Sequence, residues 1–341
     1  MLTLFFLTFG VVSLLLALVG TVYFLLFMRN HPYTWYYNRA IDAYQQKQLP
    51  KAIDLLGQAL QRNPQASEVL YNLALCHQQL GEKEEAKGYY RQVVDLDPED
   101  GDAQFNLGSL LLEDNDLEGA LSCLLAAQAV MPDDADTAES IARIYENQKD
   151  RDKAIVAYQQ VVLLDDRNTG AFLHLGKLLD QTGRYDEAVG AYQQVLEHDP
   201  NSLDANYELS ITLAKKGDWQ GTIQYSSKAI EIDPNYAKAH NQLGLAYYCN
   251  EEPENSIEHY QNAIRIDPNY ANAFNNLAYA FEKCRRYSEA IDMFELYLAK
   301  NTDEEEAVEV REHIAVLEAK IAELEGGAPA EDVPAADPSG S

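Results

Sequence analysis

Small and apolar residues recur along this chain with a period of 34 residues. Ala52, Ala86, Ala120, Ala154, Ala188, Thr222, Ser256 and Ala290 follow one another at that spacing without a slip. Twelve residues before each stands a second small residue: Ala40, Ala74, Gly108, Ala142, Gly176, Ser210, Gly244 and Ala278. Leu or Ile precedes each member of this second set except the first, which follows Arg39. Small side chains in two registers predict two helices per period that cross closely, because a larger side chain would hold the backbones apart. No single pair can bury its apolar face, so neighbouring pairs must stack. Each second helix is predicted to stop twelve residues after the first register, at Pro64, Pro98, Pro132, Asp166, Pro200, Pro234, Pro268 and Thr302.

The unit Ala237–Tyr270 shows the whole pattern as Leu243-Gly244, Tyr247, Ser256, Tyr260, Ala263 and Pro268. At this spacing the chain resembles a tetratricopeptide repeat (TPR) array in about eight copies. The resemblance implies an all-α, right-handed superhelix of helix-turn-helix repeats, a fold that hosts many unrelated binding functions.

Met1 to Met28 contains no charged residue and is rich in Leu, Phe and Val. About 26 apolar residues at about 1.5 Å each reach roughly 39 Å, enough for a tilted helix across a hydrocarbon core of about 30 Å. The flank Phe27-Met28-Arg29-Asn30-His31 lacks a signal-peptide cleavage pattern, so the segment is expected to persist as an anchor. No Lys or Arg precedes it, whereas Arg29, Arg39, Lys47 and Lys51 follow, which predicts a cytoplasmic array; a periplasmic array is the alternative. Gly10, Ser13, Ala17, Gly20 and Thr21 share one face of the segment and form a candidate helix-packing surface. In outline the chain resembles anchored TPR proteins of the bacterial inner membrane and single-span TPR proteins of photosystem assembly, which implies a single-pass inner or thylakoid-type membrane location. The expected organisation is a transmembrane helix at 1–28, a linker at 29–32, eight repeats over 33–304, a capping helix at 305–325 and a disordered acidic tail at 326–341.

The apolar stripe Val310, Ile314, Leu317, Ile321 and Leu324 fits a cap folded onto the last repeat or a short coiled coil. With 26 basic and 55 acidic residues the net charge is −29, which disfavours nucleic acid and anionic lipid and favours neutral or basic partner segments. Four singly placed cysteines and seven scattered histidines form no metal motif, and no nucleotide loop is present, so neither a metal, a cofactor nor an enzyme activity is expected.

The resemblance also implies that the first helix of each pair lines a concave groove. Two residues before each small crossing residue stand Asn38, Asn72, Asn106, Ser140, His174, Glu208, Gln242 and Asn276. A side-chain amide donates and accepts together, so such a row can grip an extended peptide of any sequence. Asparagines there can equally bond helix to helix within the array. Beside them Tyr37, Ile41, Tyr44, Tyr71, Leu75, Phe105 and Leu112 form one candidate apolar docking stretch, suited to a membrane protein's cytosolic segment. Tyr207, Ile211, Leu245, Tyr248, Asn275 and Tyr279 form a second. The basic companions of a chaperone-tail clamp are missing beside Asn38, Asn72 and Asn106. The expected function is a membrane-anchored, non-catalytic adaptor for protein partners. The competing reading is a permanent subunit of a membrane complex, or a scaffold that self-associates through its convex face and final helix.

Overall fold

The computed structural model describes residues 21–23, 26, 32–301 and 303–326. The expected anchor and its packing face therefore lie outside the described residues, except for a few positions including Thr21, as does the tail from 327. Among the described residues no helix is long and apolar enough to cross a membrane.

Eight helix pairs follow one another: α1 (Pro32–Gln45) with α2 (Leu49–Leu60), α3 (Ser67–Leu80) with α4 (Lys83–Leu96), α5 (Gly101–Glu113) with α6 (Leu117–Val130) and α7 (Ala135–Asn147) with α8 (Arg151–Leu164). After these come α9 (Thr169–Gln181) with α10 (Tyr185–His198), α11 (Leu203–Lys215) with α12 (Trp219–Ile232), α13 (Ala237–Cys249) with α14 (Pro253–Ile266), and α15 (Ala271–Lys283) with α16 (Tyr287–Leu298). A longer helix, α17 (Glu304–Gly326), ends the described chain. These helices form two compact units, divided after Asp166, where the fourth repeat has no proline. Within each unit the partners of a pair pack together and each second helix packs on the next first helix.

All eight residues of the first small register are fully buried, as are Ala40, Ala74, Ala142, Ser210 and Ala278 of the second. The glycines show how tight the crossings are. A Cβ on Gly176 would lie 2.6 Å from the Tyr192 ring, and one on Gly244 2.7 Å from the Tyr260 ring. The preceding apolar residues, Leu73, Leu107, Leu175, Leu209, Leu243 and Leu277, are buried as the periodicity predicts. Helix starts are fixed by short polar caps: Asp100, Asp134 and Asn168 accept backbone N–H groups at 2.8–2.9 Å, which satisfies donors the first turn would leave orphaned.

The turn within each pair also repeats. Lys47, Gly81, Asn115, Lys149, Gly183, Gly217, Glu251 and Arg285 all have φ between 57° and 78°, the left-handed region that favours glycine. Glycine spacing points to only three of these turns; the other five carry side chains in a conformation that costs them about 1 kcal/mol or more. Lys149→Gly is therefore expected to raise stability by about 0.5 kcal/mol, since relief of strain exceeds glycine's added unfolded-state entropy. A urea melt with an unchanged or lowered midpoint would contradict this.

Roughly the first four turns of α17 seal the last repeat. Val310 and Leu317 join Tyr260, Phe274, Leu277, Phe281, Phe294 and Tyr297 in one core. Leu324, at the far end of the predicted stripe, is 66% exposed.

Candidate functional site

The expected groove residues fall on the first helices, and the structure shows that two of the sets bond to each other. Asn72 Nδ2 donates to Tyr37 Oη at 3.3 Å and to Glu68 O of its own helix at 2.7 Å. One repeat later Asn106 Nδ2 donates to Tyr71 Oη at 3.1 Å and to Asp102 O at 2.9 Å. Each amide thus commits both N–H donors inside the array, tying a first helix to the one 35 residues earlier. What these asparagines keep for a partner is an Oδ1 acceptor, which is half of a bidentate peptide grip. The rungs stop where Phe105 supplies no hydroxyl; Ser140 Oγ donates instead to Asp136 O at 2.9 Å. Asn38 is exposed.

Tyr37, Tyr44, Tyr71, Leu75 and Phe105 are half-buried, with Tyr37 and Tyr44 leaning on the core of the first repeats. Tyr71 meets the buried Tyr90 edge-on at 5.7 Å, and Tyr44 Oη accepts from Gln79. Burial raises the Tyr44 and Tyr71 phenols, so both rings stay uncharged. It is an aromatic surface with fixed rings and hydroxyls at its edges.

In the second unit the same face changes chemistry. Across α9 and α11 it is ionic: Asp180 accepts from Thr212 at 2.9 Å and pairs with Lys215 at 2.5 Å, and Lys177 pairs with Glu208 at 3.5 Å. Tyr207, also half-buried, meets Tyr236 edge-on at 5.0 Å. Gln242 departs from the expected groove role. Only 8% exposed, it sits between helices with Nε2 3.5 Å from Ser210 O, because the crossing residue Ser210 leaves room for it. Tyr248 holds Lys283 over its ring at 4.6 Å, while Lys283 Nζ donates to Tyr248 O at 3.1 Å.

A polar cleft of about 500 Å³ opens between α13, α15, α16 and α17. Asn241, Asn272, Asn275 and Asn276 line one side, Glu306, Glu309 and His313 the other, and Tyr279 and Tyr297 stand between. Asn276 Nδ2 donates to Asn241 Oδ1 at 2.9 Å, repeating the 35-residue rung. Tyr297 Oη donates to Glu306 at 2.5 Å, and His313 Nε2 lies 2.7 Å from Glu282 Oε2, so the far wall is fixed. Asn275 Oδ1 is buried with no hydrogen-bond partner, an unmet acceptor inside the cleft wall. The row of asparagines every 34 residues pointed to Asn276 alone. Asn241 and Asn272 flank it on α13 and α15, and Glu306 and Glu309 join only because α17 packs back against α15 and α16.

Behind this wall two imidazoles stack, His240 on His259 at 5.8 Å, and His259 on Tyr247 at 5.5 Å. Burial lowers both below the ordinary imidazole value, helped for His259 by His240 and for His240 by Arg265. The folded chain therefore holds them neutral while the unfolded chain protonates them, so their contribution is complete above about pH 6.5 and is lost as pH falls. His259→Phe should make the thermal midpoint of the second unit less sensitive between about pH 7 and 5; equal acid sensitivity in the variant would refute this.

A tetratricopeptide repeat family model matches residues 37–100, 77–129, 105–171 and 173–237. A TPR repeat model matches 252–283, and a further tetratricopeptide repeat model matches 273–308. The chain is a tetratricopeptide repeat protein. Among curated proteins it is similar to Protein CTR9 homolog of Arabidopsis thaliana, 28% identical over 120 residues, which are 34% of this chain and 11% of that protein. Among solved structures, MamA is 28% identical over 49% of this chain and 91% of its own, with a TM-score of 0.47. YrrB, a TPR protein with an unusual peptide-binding site, is 23% identical over 54% of this TPR chain and 95% of its own, with a TM-score of 0.50, a likeness of fold.

Proposed function

We propose that this TPR protein is a membrane-anchored, non-catalytic adaptor that holds extended, neutral or basic segments of its protein partners against its first-helix faces. The observation that carries the reading is the asparagine-lined cleft closed by α17. Its amides can serve the backbone of an extended chain, and Asn275 Oδ1, buried without a partner in the cleft wall, gains one if its side chain turns into the cleft. Glu309 supplies a carboxylate for a Lys or Arg, in keeping with a net charge of −29. The aromatic face of the first unit offers apolar anchorage nearer the charge-free segment 1–28, which supports clients with membrane-proximal cytosolic segments. That segment supports a single-pass anchor in an inner or thylakoid-type membrane, with the array in the cytoplasm.

The test is co-purification from gently extracted native membranes through a C-terminal tag. Glu309→Lys should reduce retained partners about tenfold or more, because it reverses the one charge asked to meet a basic residue. Rising salt should weaken retention in the wild type. Partners kept at fixed stoichiometry in the variant would point instead to a permanent structural subunit, a reading that the inward-committed amides of Asn72 and Asn106 favour for the first unit. Deleting residues 1–28 should release the chain from the membrane fraction.

A further inference from the structure

The outward rows of the second helices break the repeat pattern most densely on α6 and α8. Leu125 on α6 and Val156 and Leu163 on α8 are 43%, 66% and 83% exposed. The chain supplies its own controls for these positions, 34 residues apart. At the register of Leu163 it has Asp95, Glu197 and Glu231; at that of Val156, Asp54 and Glu258; at that of Leu125, Arg91. No other repeat places a branched apolar residue at any of the three registers. Residues so exposed contribute little to the fold, so their clustering on adjacent helices calls for another cause.

Net charge is missing from the same place. No charged residue occurs from Gly119 to Pro132 or from Ala154 to Leu164, whereas the other outward rows are mostly acidic or amidic. Between the two helices opens a cleft of about 350 Å³ lined by Leu125, Ile141, Tyr145, Val156 and Ala157, together with one acid and one base of α8, Asp152 and Lys153. Gln128 Nε2 donates to Gln160 Oε1 at 3.1 Å, linking its two sides.

We propose that this face is a self-association surface, occupied by the same face of a second copy of the chain. The charge pattern selects that occupant. Two chains of net charge −29 repel wherever outward rows carry carboxylates, and this apolar strip, whose cleft-lining charges Asp152 and Lys153 are of opposite sign and pair across a two-fold contact, is where their outer faces meet at least electrostatic cost. A two-fold contact sets α6 of one copy against α8 of the other, each offering an exposed branched side chain to the partner's cleft. Residual repulsion between the acidic surroundings is screened by salt, so association tightens as salt rises, opposite in sign to capture of a basic client.

Sedimentation equilibrium of the full chain in density-matched detergent tests this, with a Val156→Glu, Leu163→Glu double variant. The wild type should dimerise, more tightly at about 0.5 M salt than at about 0.05 M. The variant should lose at least about tenfold in association while keeping its helicity and melting midpoint, because both side chains are exposed. A wild type monomeric up to about 100 μM overturns the proposal. So does a dimer that survives the double variant but is lost with Ala17→Leu, which would put the contact in the segment 1–28.

Discussion

Phe294→Ala is expected to cost about 3–5 kcal/mol and to open one end of the molecule rather than the whole. The ring is fully buried, meets Tyr279 edge-on at 5.1 Å and His313 at 5.4 Å, and shares a core with Leu277, Ala290 and Leu317. It therefore joins the last repeat to α17, and truncation leaves a cavity at that junction. In a solenoid each repeat is stabilised only by its neighbours, so a defect near the end has few interfaces to share the loss. Hydrogen exchange should show amides of α16 and α17 losing protection while those of α2 to α8 keep theirs. A uniform loss along the chain would contradict this localisation. The same variant should weaken capture of basic segments, because Glu306 and Glu309 reach the asparagine cleft only when α17 is seated.

Two periodic registers of small residues were enough to read the helix pairs, the crossings and the buried Leu positions, because each rests on a steric demand that every repeat repeats. What fails to repeat was harder to see. Gln242 occupies the register of Asn72 and Asn106, yet it is buried, since its surroundings are set by the Ser210 crossing of the preceding repeat. Tyr37 and Asn72 stand on the same helix face as expected, but their spacing is one residue more than the repeat, and only the packed structure shows that this offset brings hydroxyl and amide together. The left-handed turns at Lys47, Asn115, Lys149, Glu251 and Arg285 carry no glycine, so the period alone marks them. The asparagine cleft depends on the return of α17 across α15, a tertiary event with no local signature beyond an apolar stripe.

Gly244→Leu should be strongly damaging and Gly244→Ala mild, although both add atoms at the same point. A Cβ there would already lie 2.7 Å from the Tyr260 ring, closer than packed carbon atoms tolerate. Two other repeats show how far the site can yield. Ala74 lies sixteen residues before Tyr90, and Ala142 sixteen before Tyr158, the spacing that separates Gly244 from Tyr260, and all four side chains are buried. A methyl beside this ring is thus compatible with the fold once the ring moves a few tenths of an ångström, so Gly244→Ala should cost under about 1 kcal/mol, offset in part by glycine's lower helix propensity. Leucine adds a branched group that must displace the ring or spread α13 from α14, and about 3 kcal/mol is expected. Spreading α13 also moves Asn241 away from Asn276, so the rung beside the cleft should break with the crossing. The check is a paired urea titration of both variants followed by exchange protection of α13 to α15. Equal destabilisation by Ala and Leu would mean that backbone propensity, rather than contact with Tyr260, governs this position.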